Sequence, residues 1–193
     1  MKSLVFALLL LNLFTEAENL SASVDIHKAG DKEPGEKIGT LELTQDGDKL
    51  KITGKLTGLP QGKHGFHVHE KSDLTNKCLN TGGHFNPFKK NHGAPTDTER
   101  HVGDFGNLDV GADGTVTLNF EDHLASLQGE TNVLNHAVVI HEKADDLGKG
   151  GDEGSLKTGN AGARIACGLI ASGTGSVIVS LGLIGLFLTM YKL

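Results

Sequence analysis

The sequence predicts an all-β domain, an antiparallel sandwich or barrel of about eight short strands with two long loops. Short segments alternate apolar and polar residues, and this period of two is typical of strands with one buried face. Glycine, with 27 of 193 residues, marks the turns between them, and no segment has the periodicity of a long helix. The chain has no Trp and only 5% aromatic residues, so the core must consist mainly of Val, Ile, Leu and Phe.

Eight segments have the strand pattern, and in chain order they are residues 23–27, 37–44, 50–56, 62–70, 106–110, 115–120, 136–141 and 163–171. Asp46-Gly47-Asp48 is a turn sequence, so the second and third strands are predicted to form a hairpin. Residues 71–102 and 143–160 show no period and are predicted as loops. The first is unusually long, and we expect a disulfide and a metal ion to hold it in place.

The N-terminus has the features of a secretory signal. Lys2 precedes an apolar run over residues 4–14, and the Thr-Glu-Ala sequence that follows is typical of a cleavage site. We therefore predict that residues 1–17 are removed and that the mature domain covers residues 18–171. A buried first helix is the alternative.

Secretion bears on one asparagine and on the two cysteines. Asn19 opens the sequon Asn-Leu-Ser just beyond the predicted cleavage site and is a candidate for glycosylation. Cys78 and Cys167 are an even pair in a chain bound for an oxidising compartment, which favours a disulfide over two free thiols. The bridge would tie the first long loop to the last strand.

Charge and motif together argue against a nucleic-acid or nucleotide ligand. The net charge is −6 and there is no run rich in Lys and Arg. Residues 148–154 are rich in glycine, but Gly148-Lys149 is followed by Gly150, where a phosphate-binding loop has Ser or Thr. We expect no nucleic-acid partner.

The histidines carry the clearest chemical signal. His67 and His69 flank Val68 on a predicted strand, so both imidazoles lie on one face while the valine faces a core. Two imidazoles on one face make half of a metal site. Further histidines follow at His84, His92, His101 and His141. We predict that these six histidines, with Asp104, bind two metal ions.

Residue type suggests which ion each group would hold. One group offers nitrogen ligands only, which suits copper, and comprises His67, His69, His84 and His141. The other adds a carboxylate, which with three imidazoles makes a closed tetrahedral zinc site if one histidine is shared. Its own residues are His92, His101 and Asp104. Composition leaves open which histidine is shared and whether two ions are bound.

The remaining histidines have a simpler interpretation. A single histidine is more often exposed or hydrogen-bonded than metal-bound, and we apply this to His27, His123 and His136. His64 lies one strand step from the site and is expected to pack against it or to support a ligand.

Five motifs resemble those of the copper/zinc superoxide dismutases. In order they are GFHVHE at 65–70, GGHFNP at 82–87, ERHVGDFGN at 99–107, VIHEKADDLGKGG at 139–151 and TGNAGARIACG at 158–168. The resemblance covers roughly residues 22–171 and keeps the spacing between motifs. It implies a secreted member with an eight-stranded antiparallel Greek-key barrel, immunoglobulin-like in architecture, and two long functional loops.

The resemblance also implies residue roles. The copper ligands would be His67, His69, His84 and His141, and the zinc ligands His84, His92, His101 and Asp104. His84 would bridge both ions as an imidazolate. Asp145 would accept hydrogen bonds from one histidine of each set, and the family's intrasubunit disulfide would join Cys78 to Cys167.

The implied activity is dismutation of superoxide to oxygen and hydrogen peroxide, with one copper and one zinc ion per subunit. His84 would carry a proton, and Arg164 would attract and orient the anion. The rim of the channel would include Lys157, Thr158 and Glu153. The alternative is a non-catalytic copper-binding or copper-delivery protein of the same fold. It would lack copper ligands or the arginine, and since this chain has both, we favour the enzyme.

Three positions depart from the usual family pattern. Lys71-Ser72 and Leu134-Asn135 lie where the family builds its dimer contact, so a homodimer is in doubt at Lys71, Ser72 and Asn135. Gly154 stands where many members have a second glutamate after Glu153, which would alter the charge near the channel.

Residues 172–193 continue beyond the usual end of the family. Their apolar run, residues 177–190, is short for a bilayer span, which needs about 20 residues. Small residues at 172–175 would suit a lipid-anchor signal, but its polar spacer is missing. We expect membrane contact through one of these forms, which would hold the secreted protein at the cell surface. A disordered or partner-bound tail is the alternative.

Overall fold

The computed structural model describes residues 20–173, so the predicted signal, Asn19 and the tail from residue 174 lie outside it. It contains nine strands and one helix: β1 (Ser21–Lys28), β2 (Lys37–Asp46), β3 (Lys49–Leu56), β4 (Gly62–His69), β5 (Asp104–Val110), β6 (Val116–Asp122), β7 (Ala137–His141), α1 (Glu153–Thr158), β8 (Arg164–Leu169) and β9 (Ala171–Ser172). Short 3-10 helices lie at Leu79–Thr81 and Gly129–Thr131.

Eight of the strands lie side by side in the order β5-β4-β7-β8-β1-β2-β3-β6, and every ladder between them is antiparallel. Neighbours along the chain pair as hairpins from β1 to β3, whereas β4 and β7 meet only after long connections, as in a Greek key. The short β9 pairs with β1 at Ala22 and Ser23. The predicted fold class is confirmed.

The barrel interior is filled by the apolar half of each alternating strand. Leu41 and Leu43 on β2, for example, are buried while the intervening Glu42 is exposed. Within the described residues no ladder joins β5 to β6, and three phenylalanines pack across this seam. The rings of Phe66, Phe105 and Phe120 have centroids 5.6–6.1 Å apart in tilted or edge-on arrangements. Such pairs stabilise by about 0.5–1.5 kcal/mol beyond their buried area.

The second long loop contains a helix that the sequence analysis did not predict. Asp152 caps the N-terminus of α1 by accepting a hydrogen bond from the Ser155 backbone N–H at 2.9 Å, and Gly159 ends the helix in the left-handed conformation. At six residues the helix is too short to show a 3.6-residue period, so only its two capping residues signal it in the sequence.

The predicted disulfide between Cys78 and Cys167 is confirmed, with both residues buried and their Cα atoms 6.2 Å apart. It connects the first long loop to β8, which lies beside β7. Ala137 and Val139 of β7 pack around it. The loop therefore has one covalent attachment to the barrel besides its two ends.

Replacing both cysteines by serine should lower the free energy of unfolding of the metal-free protein by about 4–5 kcal/mol. The reason is entropic, because the bridge spans 89 residues and restricts the unfolded chain. Urea unfolding of the double variant and the oxidised wild type would measure the difference. A loss smaller than about 1 kcal/mol would show that the bridge does not stabilise the fold in this way.

Candidate metal centre

The register between three neighbouring strands places several of the predicted ligands on one face of the barrel wall. His67 on β4 lies opposite Val139 of β7 on one side and Asp104 of β5 on the other. His141 comes two residues after Val139, and His69 two residues after His67, so their side chains point to the same face. Pairing between strands that are distant in the sequence thus brings four predicted ligands together.

His84 enters this face from the first long loop. It pairs with His69 as an isolated antiparallel bridge, and the neighbouring Phe85 N–H donates to the Val68 carbonyl at 2.8 Å. The Glu70 N–H donates to the carbonyl of Gly83 at 2.9 Å. The loop therefore runs beside the end of β4 like a short additional strand.

The first cluster consists of four buried histidines with converging ring nitrogens: His67, His69, His84 and His141. One nitrogen from each ring lies within 4.8 Å of every other. Nε2 of His69 and Nε2 of His141 are 3.3 Å apart. Four imidazole nitrogens at this separation can surround a transition-metal ion without rearrangement of the backbone.

The second cluster is centred on the Asp104 carboxylate and comprises His84, His92, His101 and Asp104. Asp104 Oδ1 lies 2.9 Å from Nδ1 of His84, 2.9 Å from Nδ1 of His92 and 3.1 Å from Nδ1 of His101. Nδ1 of His101 and Nδ1 of His84 are 3.3 Å apart. A tetrahedron of ligands about 2.0–2.1 Å from zinc has edges of about 3.3 Å, so this donor set fits a closed zinc site.

Three buried ring nitrogens lack a hydrogen-bond partner, and each belongs to a cluster: Nδ1 of His67, Nε2 of His84 and Nδ1 of His92. The 2.9 Å approach of His92 Nδ1 to Asp104 does not have the angle of a hydrogen bond. Burying a polar atom without a partner costs about 1–3 kcal/mol. A metal ion at each cluster would satisfy all three, so the residues fit two ions.

Asp145 orients one histidine of each cluster. Nε2 of His67 donates to Asp145 Oδ2 at 2.9 Å, and Nε2 of His92 donates to Oδ1 at 2.8 Å. The Nδ1 atoms of both rings are thereby turned towards their clusters. Gly159 packs so closely on Asp145 that a Cβ atom would overlap the carboxylate. Its φ of 64° also favours glycine.

Backbone carbonyls orient two further rings. Nδ1 of His69 is 2.9 Å from the Gly82 carbonyl, and Nδ1 of His141 is 3.1 Å from the Gly162 carbonyl, which leaves Nε2 of both for the first cluster. His64 lies behind them, with Nδ1 2.8 Å from the His141 carbonyl. It therefore contacts the backbone of His141, one of the predicted copper ligands.

Burial keeps the first cluster in the neutral form that can bind metal. It holds the pKa values of His67 and His69 well below the usual 6.5. Burial also lowers the pKa of His141 to about 4, and the nearby His84 and Arg164 act in the same direction. Because only a neutral imidazole offers a lone pair, these three rings are ready to act as ligands at neutral pH.

The carboxylates of Asp104 and Asp145 strongly influence the pKa values in the second cluster. Burial would raise the pKa of Asp104, but hydrogen bonds from His101 and His84 and the close approach of His92 outweigh it and lower that pKa below its usual range. Burial lowers the pKa of His92, yet the nearby Asp104 carboxylate and the hydrogen bond to Asp145 raise it to about 9. An ionised carboxylate among imidazoles is the electrostatic setting of a divalent cation site.

A cavity of about 200 Å³ opens over the first cluster, with His69, His84 and His141 in its wall. Arg164 lines it as well, half-buried at the start of β8. The rest of the lining includes Leu79, Thr158 and Ala161. A cavity of this size with one cation and buried imidazoles admits a small anion.

The guanidinium of Arg164 is held by the segment that follows Cys78. Nη1 donates to the carbonyls of Cys78 and Leu79 and to Oγ1 of Thr81, and Nη2 donates to the Gly82 carbonyl. The disulfide begins at Cys78 and ends three residues after Arg164, at Cys167. Arg164 and the disulfide therefore join the same two parts of the chain, strand β8 and the segment that begins at Cys78.

The predicted rim residues lie on or next to α1. Thr158 contributes to the cavity, whereas Lys157 and Glu153 are exposed and form an ion pair with each other. Elsewhere, Lys71, Ser72 and Asn135 are exposed. Within residues 20–173, no helix is both long and apolar enough to span a bilayer.

Sequence reasoning missed two supporting residues. The side-chain amide of Asn107 binds the backbone of Asp145 on both sides. Its Oδ1 accepts from the Asp145 N–H at 2.7 Å, and its Nδ2 donates to the Asp145 carbonyl at 2.9 Å. Thr81 contacts Arg164. Asn107 ends one of the family-like motifs, which was a usable signal, but Thr81 lies in a loop whose conformation the sequence does not indicate.

Comparison with known proteins agrees with this geometry. The family model "Copper/zinc superoxide dismutase (SODC)" matches residues 37–170. An extracellular superoxide dismutase (Cu-Zn) of Caenorhabditis elegans is 49% identical over 175 residues, covering 89% of this chain and 79% of that protein. One of Haemonchus contortus is 50% identical over 137 residues, covering 71% and 75%.

Among solved structures, the clock protein EA4 matches with a TM-score of 0.70 and 43% sequence identity, covering 79% of this chain and 94% of that one. The barrel, two adjoining histidine clusters and matched sequence therefore lead to one conclusion. The chain belongs to the copper/zinc superoxide dismutase family.

Proposed function

We propose that this chain dismutates superoxide at a copper ion joined through one imidazole to a zinc ion. The first cluster, His67, His69, His84 and His141, would hold copper, and the second, His84, His92, His101 and Asp104, would hold zinc. The observation that carries this proposal is that His84 belongs to both clusters. A shared histidine is what a two-ion site of one carboxylate and six imidazoles requires.

When bound, copper would supply a one-electron couple: one superoxide gives up an electron and leaves as oxygen, and a second takes up that electron with two protons and leaves as hydrogen peroxide. Zinc, which has no redox chemistry, would fix one side of the His84 ring.

Arg164 is proposed to capture and orient the substrate. Superoxide is a small monoanion, and the guanidinium is a permanent cation in the wall of the cavity. His69 and His141 line the same cavity, so an anion attracted to Arg164 arrives beside the first cluster. Lys157 and Glu153 compensate each other's charge, which leaves Arg164 as the cation that acts at short range.

His84 is proposed to carry a proton to the reduced oxygen species. Its Nδ1 faces Asp104, whereas Nε2 is buried among the first cluster without a protein partner. The ring also lines the cavity that holds Arg164. When Nε2 is not bound to an ion, a proton held there would have a short path to a reduced oxygen species in the cavity.

A non-catalytic copper-binding or copper-delivery role is the second candidate. A delivery protein needs a site that opens to a partner and releases its ion, but the first cluster is buried on all four histidines. It also needs no anion-guiding arginine, and Arg164 is held at the cavity by four hydrogen bonds. Both observations favour the enzyme.

Replacing His141 by alanine should abolish dismutase activity and copper binding while zinc content is kept, because His141 belongs to the first cluster only. Asp104→Ala should have the converse effect on zinc. Metal content by mass spectrometry, together with superoxide consumption, would test both. His123→Ala, at an exposed site, is the matched control. Full activity of the His141 variant would exclude the copper assignment.

Extracellular location is supported by the relatives, two of which carry that word in their names. We propose that residues 1–17 direct secretion, that Asn19 is available for glycosylation, and that the apolar tail holds the protein at the cell surface. Since β9 ends at Ser172, the tail would leave the barrel directly from a strand.

Truncation after Gly173 should keep the barrel and release the protein from membranes. Strand β9 remains intact in this variant, so its activity per molecule should equal that of the full chain. Fractionation of cells that express either form would measure attachment, and a phospholipase that cleaves lipid anchors would separate an anchor from a span. Recovery of the full chain in the soluble fraction would exclude attachment.

Self-association through the family's usual contact is proposed to be weak here. Lys71 and Asn135 are exposed polar residues that this contact would bury. Removing an ammonium from water without a partner is costly. Sedimentation of the truncated chain should show mainly monomer at micromolar concentration, and Lys71→Gly should favour association. A tight wild-type dimer would contradict this expectation.

A further inference from the structure

We propose that Thr81 is a positioning residue that holds the Arg164 guanidinium in the wall of the cavity. The inference rests on the proposed role of Arg164 in substrate capture. It starts from the four acceptors around the guanidinium, of which three are backbone carbonyls and one is the Thr81 hydroxyl. Among these four acceptors, Thr81 is therefore the one whose replacement by another side chain can change the position of this arginine.

The hydroxyl of Thr81 is fully buried, and its roles as hydrogen-bond donor and acceptor are both fixed by its neighbours. It donates its one proton to the carbonyl of Cys78 at 2.9 Å, which leaves its lone pairs free to accept. Nη1 of Arg164 donates to it at 2.8 Å. The Thr81 backbone is held as well, because its carbonyl accepts from the Lys71 N–H at 2.9 Å. Hydrogen bonds of both its side chain and its backbone thus hold Thr81 in place.

The donors of Arg164 divide into two groups. Nη1 has two N–H bonds and three acceptors within reach, the carbonyls of Cys78 and Leu79 and the hydroxyl of Thr81. Nη2 uses one N–H bond on the Gly82 carbonyl. Of the five N–H bonds of a guanidinium, three are thereby taken and two remain for an anion.

Without the Thr81 hydroxyl, Nη1 keeps only the two adjacent carbonyls of Cys78 and Leu79 and loses its one side-chain acceptor. The guanidinium plane then turns more freely about the carbonyls, and its two remaining donors no longer keep a fixed direction into the cavity. Charge is unchanged by this loss, so long-range attraction persists while orientation at short range is lost.

The accessibility of the Arg164 guanidinium can be followed directly by chemical modification. The chain has only two arginines, Arg100 and Arg164. Arg100 is 3% exposed and paired with Asp122 at 2.7 Å, so an arginine-selective reagent should modify Arg164 in preference. Arg100 serves as the internal standard in the same molecule.

The test compares Thr81→Val, which removes the hydroxyl at constant shape, with Thr81→Ser, which keeps it. Thr81→Ala is the second deletion variant, and Thr44→Val, at an exposed site on β2, is the matched control. Each full chain, metal-loaded and metal-free, is treated with phenylglyoxal, and modification of each arginine is followed by peptide mass spectrometry. Metal content and kcat/KM for superoxide are measured on the loaded forms.

We expect Arg164 to react about three-fold or more faster in the valine and alanine variants, with or without metals, because guanidinium access increases. The serine variant and the control should react like the wild type. In the loaded valine variant kcat/KM should fall by about three-fold to ten-fold at unchanged metal content, and serine should restore it.

Equal rates of Arg164 modification in the wild-type and valine proteins would overturn the proposal, even if stability fell, since a purely structural role of Thr81 has that signature. Faster modification with unchanged kcat/KM would support positioning by Thr81 and would instead contradict the proposed role of Arg164 in capture.

Discussion

One imidazole ring, that of His84, determines how the rest of the site is built. Its two nitrogens face two clusters, so the ring must stand between the end of β4 and the carboxylate of Asp104. A loop residue can hold such a position only if its backbone is fixed on both sides. The bridge to His69 and the hydrogen bond from Phe85 to Val68 provide this fixation, and the disulfide restrains the loop before it.

The same arrangement explains why so many polar groups can be buried at one place. Seven histidines and two aspartates are buried in the clusters and their support, and three of the described ring nitrogens have no protein partner. Their desolvation destabilises the metal-free chain, and bound ions would remove this cost. Metal binding should therefore be strongly coupled to the stability of the loops that carry His84, His92 and His101. The barrel itself, with its continuous apolar core, is less dependent on it.

Period-two alternation was sufficient to predict strands such as β2 and β3, which have one buried and one more exposed face. Strands β4 and β7 are buried on both faces over most of their length, and they were predicted instead from the His67-Val68-His69 motif and from an apolar run that ends at His141. The residues of both side-chain clusters could also be predicted, since His67 and His69 share a face and the others follow in motifs of characteristic spacing. Helix α1 could not, because six residues carry no period. Thr81 could not either, because its contact with Arg164, 83 residues further along the chain, depends on the conformation of the loop that the disulfide holds. Local sequence patterns predict the strands, whereas contacts between residues far apart in the chain determine the conformation and the role of the loops.

If one histidine ring joins two metal ions, the ions should be magnetically coupled through it. In a protein loaded with Cu(II) in the first cluster and Co(II) in the second, a bridging imidazolate of His84 should couple the two spins. The electron paramagnetic resonance signal of copper should then be strongly reduced, and His84→Ala should abolish the coupling. An uncoupled Cu(II) spectrum in the doubly loaded wild type would contradict the shared ligand.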